Sequence, residues 1–287
     1  MSESIANASS NIAMVRRRVS YTRAFAGLML RDLYVLRREI APFLVRVAMN
    51  PLLFLFIFTY VMPHMAGGAA MNPTAQMGSG SGGFGTVLLP GLMAVAIMFS
   101  GIAAVALPLS QEFGITREID DRVMCPLPIA AVALEKVVFS ALQSFVAAGI
   151  VFPLAYYIPS THVQAHVESW LFLAVVLLLS GLLSGALGLV IGTAVQPKQI
   201  GLIFGVVVMP ITFLGCVYYP WDALKTIKFL QKAVLVNPIV YISEGLRSAL
   251  TPGVGHMSNA VILTMLTLFF VLLMWAGIRG FRRRVVS

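Results

Sequence analysis

Charge is scarce in this chain: 11% of its 287 residues are Asp, Glu, Lys or Arg, against 59% hydrophobic. Soluble domains carry charge at about a quarter of positions, which excludes water as the solvent of most of this surface. Cysteine is nearly absent as well. Cys125 and Cys216 are the two present, and they fall in regions assigned below to opposite membrane faces, so they cannot pair within the chain. No Cys/His spacing suits a zinc site. The loop G-x-x-x-x-G-K-[ST] is missing, so no segment is built to cradle ATP phosphates on its backbone amides. Nor is any basic run interleaved with aromatics, and the net charge of +9 therefore does not indicate a nucleic-acid groove. In an apolar chain such an excess marks Lys and Arg retained on the cytoplasmic face, next to anionic lipid.

Long apolar runs are what the chain does have. A bilayer core about 30 Å thick needs roughly 20 helical residues, and six runs meet that need: about 42–62, 87–110, 133–158, 170–195, 199–219 and 261–278. The expected fold is an all-α polytopic membrane protein with six transmembrane helices. Residues 1–20 read as a disordered cytoplasmic N-terminus, with no cleaved signal peptide expected. Residues 21–40 read as an interfacial amphipathic helix. Phe25, Leu28, Met29, Leu33, Leu36 and Ile40 recur at helical spacing, and Arg23, Arg31 and Arg38 fall elsewhere on the wheel. With both termini cytoplasmic, sixteen Lys and Arg lie inside and four outside, namely Lys225, Lys228, Lys232 and Arg247. The positive-inside rule favours that orientation.

Residues 219–255 are unlike the spans. An amphipathic stretch at 222–236 sets Lys225, Lys228 and Lys232 against Leu224, Ile227, Leu230 and Val234; Asn237-Pro238 breaks it, and a second short helix carries Glu244 and Arg247. Each piece is too short or too charged to cross alone, which predicts a re-entrant helical hairpin before the last span. Between the second and third spans, residues 111–124 combine both signs of charge with Phe113, Ile115 and Ile119 and stop at Pro126 and Pro128. They read either as a rigid cytoplasmic helix offered to a partner or as a turn that is simply kept soluble.

Small and aromatic residues carry weaker signals. Gly181, Gly185, Gly188 and Gly192, with Ser184 beside them, share one face of the fourth span, and Gly201 and Gly205 repeat the pattern in the fifth. Packing within one subunit is the favoured reading over a seam between two. Tyr218, Tyr219 and Trp221 read as a headgroup belt rather than a sugar platform. His64 among Met62, Met65, Met71 and Met77 is too scattered to hold a soft metal, so no metal site is expected.

Two regions resemble the permease subunits of the type-2 ATP-binding-cassette exporters, a family of drug, lipo-oligosaccharide and polysaccharide exporters. Leu89-Pro90-Gly91 enters the second span, and Glu112, Gly114, Arg122 and Pro126 through Pro128 look like that family's E-x-x-G … R … P-L-P loop. Gly215, Tyr219-Pro220-Trp221, Asn237-Pro238, Tyr241 and Arg247 are similar to its terminal G … F/Y-P … N-P-x-x-Y … R signature. The resemblance implies a single transmembrane domain over 21–287. It makes 111–124 a coupling helix seated on an ATPase, with Glu112, Phe113, Gly114, Arg117, Glu118 and Arg122 as its contacts, and it makes 219–255 the exit region. It further implies a separate nucleotide-binding subunit holding ATP and Mg, a second permease copy, and residence in the bacterial cytoplasmic membrane. The acidic pair Asp120-Asp121 departs from the usual polar sequence there.

The residues agree that energy must come from elsewhere. The second, fourth, fifth and last spans hold no Asp, Glu, Lys, Arg or His, and the third has Glu135 and Lys136 at its cytoplasmic end. Ion-coupled transport ordinarily relies on ionisable groups within the membrane. The function expected is a non-catalytic permease of an ATP-driven exporter, moving a hydrophobic drug-like or lipid-linked glycan substrate outward. A lipid-modifying membrane enzyme is the alternative, with acid–base groups limited to Glu168, Asp222, Glu244, His162 and His166; a passive channel component is another.

Overall fold

The computed structural model describes residues 21–57, 61, 84–113, 127–157, 166–251 and 253–286. Every regular element among them is helical: α1 (Tyr21–Arg38), α2 (Ile40–Phe56), α3 (Phe84–Gln111), α4 (Ile129–Tyr157), α5 (Trp170–Ala194), α6 (Ile200–Phe213), α7 (Lys228–Ala233), α8 (Pro238–Leu250) and α9 (Asn259–Val286). The predicted disordered start at 1–20 and the loop with His64 lie outside the described residues.

Helix α3 is the axis of the bundle. It carries no charged residue and has the most enclosed apolar window, 78% buried, against 17% for α9 on the periphery. It packs on α4 and α5, and α5 packs in turn on α4 and α9. The predicted small face of α5 explains the closeness of these contacts. A methyl on Gly181 would stand 3.0 Å from Ala141 Cα in α4, and one on Gly188 would stand 2.8 Å from Ile102 O in α3. The stripe therefore serves packing within one subunit, as expected. Gly201 and Gly205 are different: nothing stands within 4 Å of a methyl added at either, so the reading of intramolecular packing fails for α6.

Helices α3, α4, α5 and α9 are each long and apolar enough to cross a membrane, and α1 with α2 makes a fifth candidate bent by 75°. The bend falls at Glu39, one residue before the predicted end of the amphipathic helix, and Pro42 is accommodated in the first turn of α2. The fifth predicted run is shorter than expected. It stops at Phe213, an extent of about 21 Å at 1.5 Å per residue, and contains a π-helical turn at Phe204–Val208. The helical path is left at Leu214, with φ −84° and ψ 3°, and the left-handed backbone of Cys216, φ 52°, turns the chain just beyond it.

The segment after α6 is also more broken than the expected amphipathic helix. A 3₁₀ turn at Trp221–Thr226, α7 and a second 3₁₀ turn at Val234–Val236 follow one another. Ile227, with φ −118° and ψ 77°, interrupts the helical path and is exposed, whereas Leu224 and Val234 are buried as the apolar stripe required. The predicted break at Asn237-Pro238 is an N-cap. Asn237 accepts from Ile239 N at 3.0 Å and Pro238 occupies the first helical position, where its missing N–H costs nothing.

Candidate functional site

Two constellations emerge at opposite ends of the bundle. The first gathers the signature residues after α6 around a buried ion pair. Glu244 and Arg247 are one turn apart on α8 and both are 0% exposed. Arg247 Nη1 donates to Glu244 Oε1, and Arg247 Nη2 donates to Cys216 O at 3.1 Å. The same carboxylate accepts from Trp221 N at Oε1 and from Met257 N at Oε2, each at 3.0 Å. The guanidinium and the two N–H donors replace the water this carboxylate lacks. One turn of helix thereby fastens three otherwise separate segments.

The other signature residues lock the same corner. Gly215 lies so close to Ile239 that a methyl would stand 2.5 Å from its Cγ2, and Ser243 Oγ donates to Gly215 O at 2.8 Å. Asn237 Nδ2 donates to Ile211 O at the end of α6, while Tyr241 hydroxyl donates to Leu235 O at 2.9 Å. Trp221 donates its indole N–H to Gln231 O at 3.2 Å, and Tyr218 packs between Phe54 of α2 and Phe213 of α6. Pro220 is buried and Tyr219 half-buried. Tyr218 and Trp221 thus belong to the joint itself, which the belt reading did not anticipate.

The two family-like regions also meet in space. Gly91 of the Leu89-Pro90-Gly91 turn of α3 faces the backbone of Val217, and a methyl on Gly91 would overlap the Val217 carbonyl. Glycine is required there because main chain touches main chain.

The second constellation is at the other end of α3, where the predicted coupling segment begins. Glu112 is 5% exposed, and its Oε1 accepts from Lys136 Nζ of α4 at 2.8 Å. Phe113 meets Phe281 of α9 edge-on at 5.7 Å between centroids, and the Arg284 guanidinium lies 5.0 Å over its ring. Arg284 Nη1 also donates to the carbonyls of Thr193 and Val195, each at 2.9 Å, and so caps the end of α5. Both described members of the predicted contact set thus point inward and anchor the segment to α4 and α9. Glu112 is buried and Phe113 half-buried against these neighbours. Gly114, Arg117, Glu118 and Arg122 lie outside the described residues. Arg23, Arg31 and Arg38 are exposed on α1, Arg38 stacking 4.9 Å over Tyr34.

Of the acidic groups available to a membrane enzyme, Glu244 is committed to three donors, and Asp222 is paired with Lys225 at 2.7 Å. These features define an all-helical membrane protein whose ordered polar groups tie helices together. Residues 23–251 match the ABC-2 type transporter family, to which this chain belongs. Similar proteins include the inner membrane transport permease YadH of Escherichia coli strain K12 and of Escherichia coli O157:H7, and the protein of the same name in Shigella flexneri. Each is 28% identical over 204 residues, covering 68% of this chain and 76% of the relative.

Proposed function

We propose that this chain is the membrane subunit of an ATP-driven exporter in the bacterial inner membrane, working beside a separate nucleotide-binding subunit that holds ATP and Mg. The observation that carries the reading is the anchoring of the segment after Gln111. Through Glu112 it is tied to α4, and through Phe113 to α9 and, by Arg284, to the end of α5. A push on residues 114–126 would reach the helices around α3 through rigid side-chain contacts rather than through a slack loop. Arg117, Glu118 and Arg122 are the contacts assigned to the ATPase; Glu112 and Phe113 position them.

In this reading both termini are cytoplasmic, α1 lies in the inner interface, and α2 and α6 complete six spans. Residues 219–255 form a re-entrant hairpin at the exit. A second permease copy covers α6, whose Gly201 and Gly205 have open space beside them. The cargo is hydrophobic, of the drug-like or lipid-linked glycan kind, and moves outward.

The test is to reconstitute the chain with a candidate nucleotide-binding subunit and to measure hydrolysis. Arg122→Ala and Glu118→Ala should abolish the permease-dependent stimulation while leaving expression and assembly of the membrane subunit intact. If hydrolysis is unaffected by the permease, or substitutions on the exposed surface of α9 have the same effect, the coupling assignment is refuted.

A further inference from the structure

We infer that the open cleft between α1, α2, α3 and α4 binds a zwitterionic phospholipid of the leaflet in which α1 lies. It rests on the permease reading for orientation alone. The cavity has a volume of about 610 Å³. Lys136, Phe139 and Gln143 line it from α4, at positions i, i+3 and i+7 of one helix face, so it extends about 10 Å along that helix.

Its charge is balanced: Arg31, Arg46 and Lys136 face Asp32, Glu39 and Glu112. A site for a simple anion or cation would carry an excess of one sign; separated charges of both signs complement a head with a phosphate and an ammonium group. Lys136 and Glu112 are closed on each other, but Arg46 and Glu39 are in no ion pair among the described residues. They stand two turns apart on the bend that opens α2. Arg46 suits the phosphate and Glu39 the ammonium.

Gln143 supplies an independent sign of a ligand. It is 7% exposed, and its side-chain oxygen has no hydrogen-bond partner. Buried amide oxygens in folded proteins are nearly always satisfied, and this one lines the cavity. The ammonium group of such a head provides the missing donor. Beyond Arg46, Ala103 and Leu107 the wall continues into a second cavity of about 270 Å³, lined by Val47, Pro51, Val95, Phe99 and Phe204. That space accepts an acyl chain. Ser100 faces it with a buried hydroxyl that also lacks a partner and can donate to an ester carbonyl. A polar head near α1 and an apolar tail deeper between the helices match the order of parts in a leaflet lipid.

The experiment is native mass spectrometry of the full-length chain taken from bilayers with equal phosphatidylethanolamine and phosphatidylglycerol. Phosphatidylethanolamine should be retained over phosphatidylglycerol by roughly tenfold, the size of one charge-assisted hydrogen bond. Glu39→Arg, at an exposed position whose side chain caps nothing, should reverse that preference. Gln143→Leu should weaken phosphatidylethanolamine retention severalfold, and thermal stability of each variant serves as the folding control. Equal retention of both lipids by the native chain, or an unchanged ratio in a folded Glu39→Arg chain, overturns the inference. ATPase stimulation is read separately, so coupling and lipid retention can fail independently.

Discussion

Replacing Glu244 by glutamine removes one negative charge from a place with no access to water. Arg247 then keeps its positive charge at 0% exposure with the Cys216 carbonyl as its remaining strong acceptor. Breaking a buried pair from one side costs about 3–5 kcal/mol, because the surviving charge is left uncompensated. Glu244→Ala should be worse still. It also strands the N–H groups of Trp221 and Met257, and an unsatisfied buried donor costs about 1–3 kcal/mol. The double substitution Glu244→Gln with Arg247→Met removes both charges together. The glutamine oxygen can still accept from one of the two amides, so the double variant should lie only about 1–2 kcal/mol below the native chain, and the cycle should show a coupling of at least about 2 kcal/mol. Equilibrium unfolding in mixed detergent micelles, followed by tryptophan fluorescence, measures all four proteins. Two results would refute the reasoning: Glu244→Gln within about 1 kcal/mol of native, or a double variant as damaged as the worse single.

Two further outcomes follow from contacts at the same corner. Gly91→Ala drives a methyl into the Val217 carbonyl, where no flexible side chain can yield, so the loss should reach or exceed the roughly 3 kcal/mol upper range of overpacking; Gly205→Ala, with open space beside it, should be neutral or gain up to about 1 kcal/mol from helix propensity. Expression and thermal melting of the pair check this, and a stable Gly91→Ala chain would contradict the close approach. Cys216 lies outside the candidate membrane-spanning helices, and burial, with a smaller contribution from Glu244 opposed by Arg247, pushes its thiol up to about 12. It therefore stays protonated at pH 8, and in a Cys125→Ser background maleimide should label it only after denaturation; labelling of the native chain at the rate of an exposed thiol would show that the corner opens.

How much of this was legible beforehand depended on the range of the interaction. The long helices could be read because apolar composition over some 20 residues answers directly to bilayer thickness, and α3, α4, α5 and α9 appear where those runs lie. The cap at Asn237-Pro238 was legible for a similar reason: the side chain, the proline and the amide it satisfies are neighbours in sequence. Helix α6 is shorter than its apolar run because the path leaves the helix at Leu214, after which Gly215 packs on Ile239 and Cys216 turns left-handed. Neither cysteine nor that distant contact announces itself locally.

The ion pair shows the limit most clearly. Glu244 and Arg247, three residues apart on a short apolar helix, were visible as a pair but were placed among scattered exterior charges. Their burial is decided by Cys216, Trp221 and Met257, which contribute backbone groups. Every residue has a backbone carbonyl and all but proline an N–H, so no pattern of side chains reveals which of them will converge on a buried ion pair. The signature residues Gly215, Asn237, Tyr241 and Arg247 make sense in the same terms: each supplies the small volume or the hydrogen bond by which one backbone segment is held against another. Their spacing was legible as a motif only through the family resemblance, and the reason for the motif became readable once the chain had closed on itself.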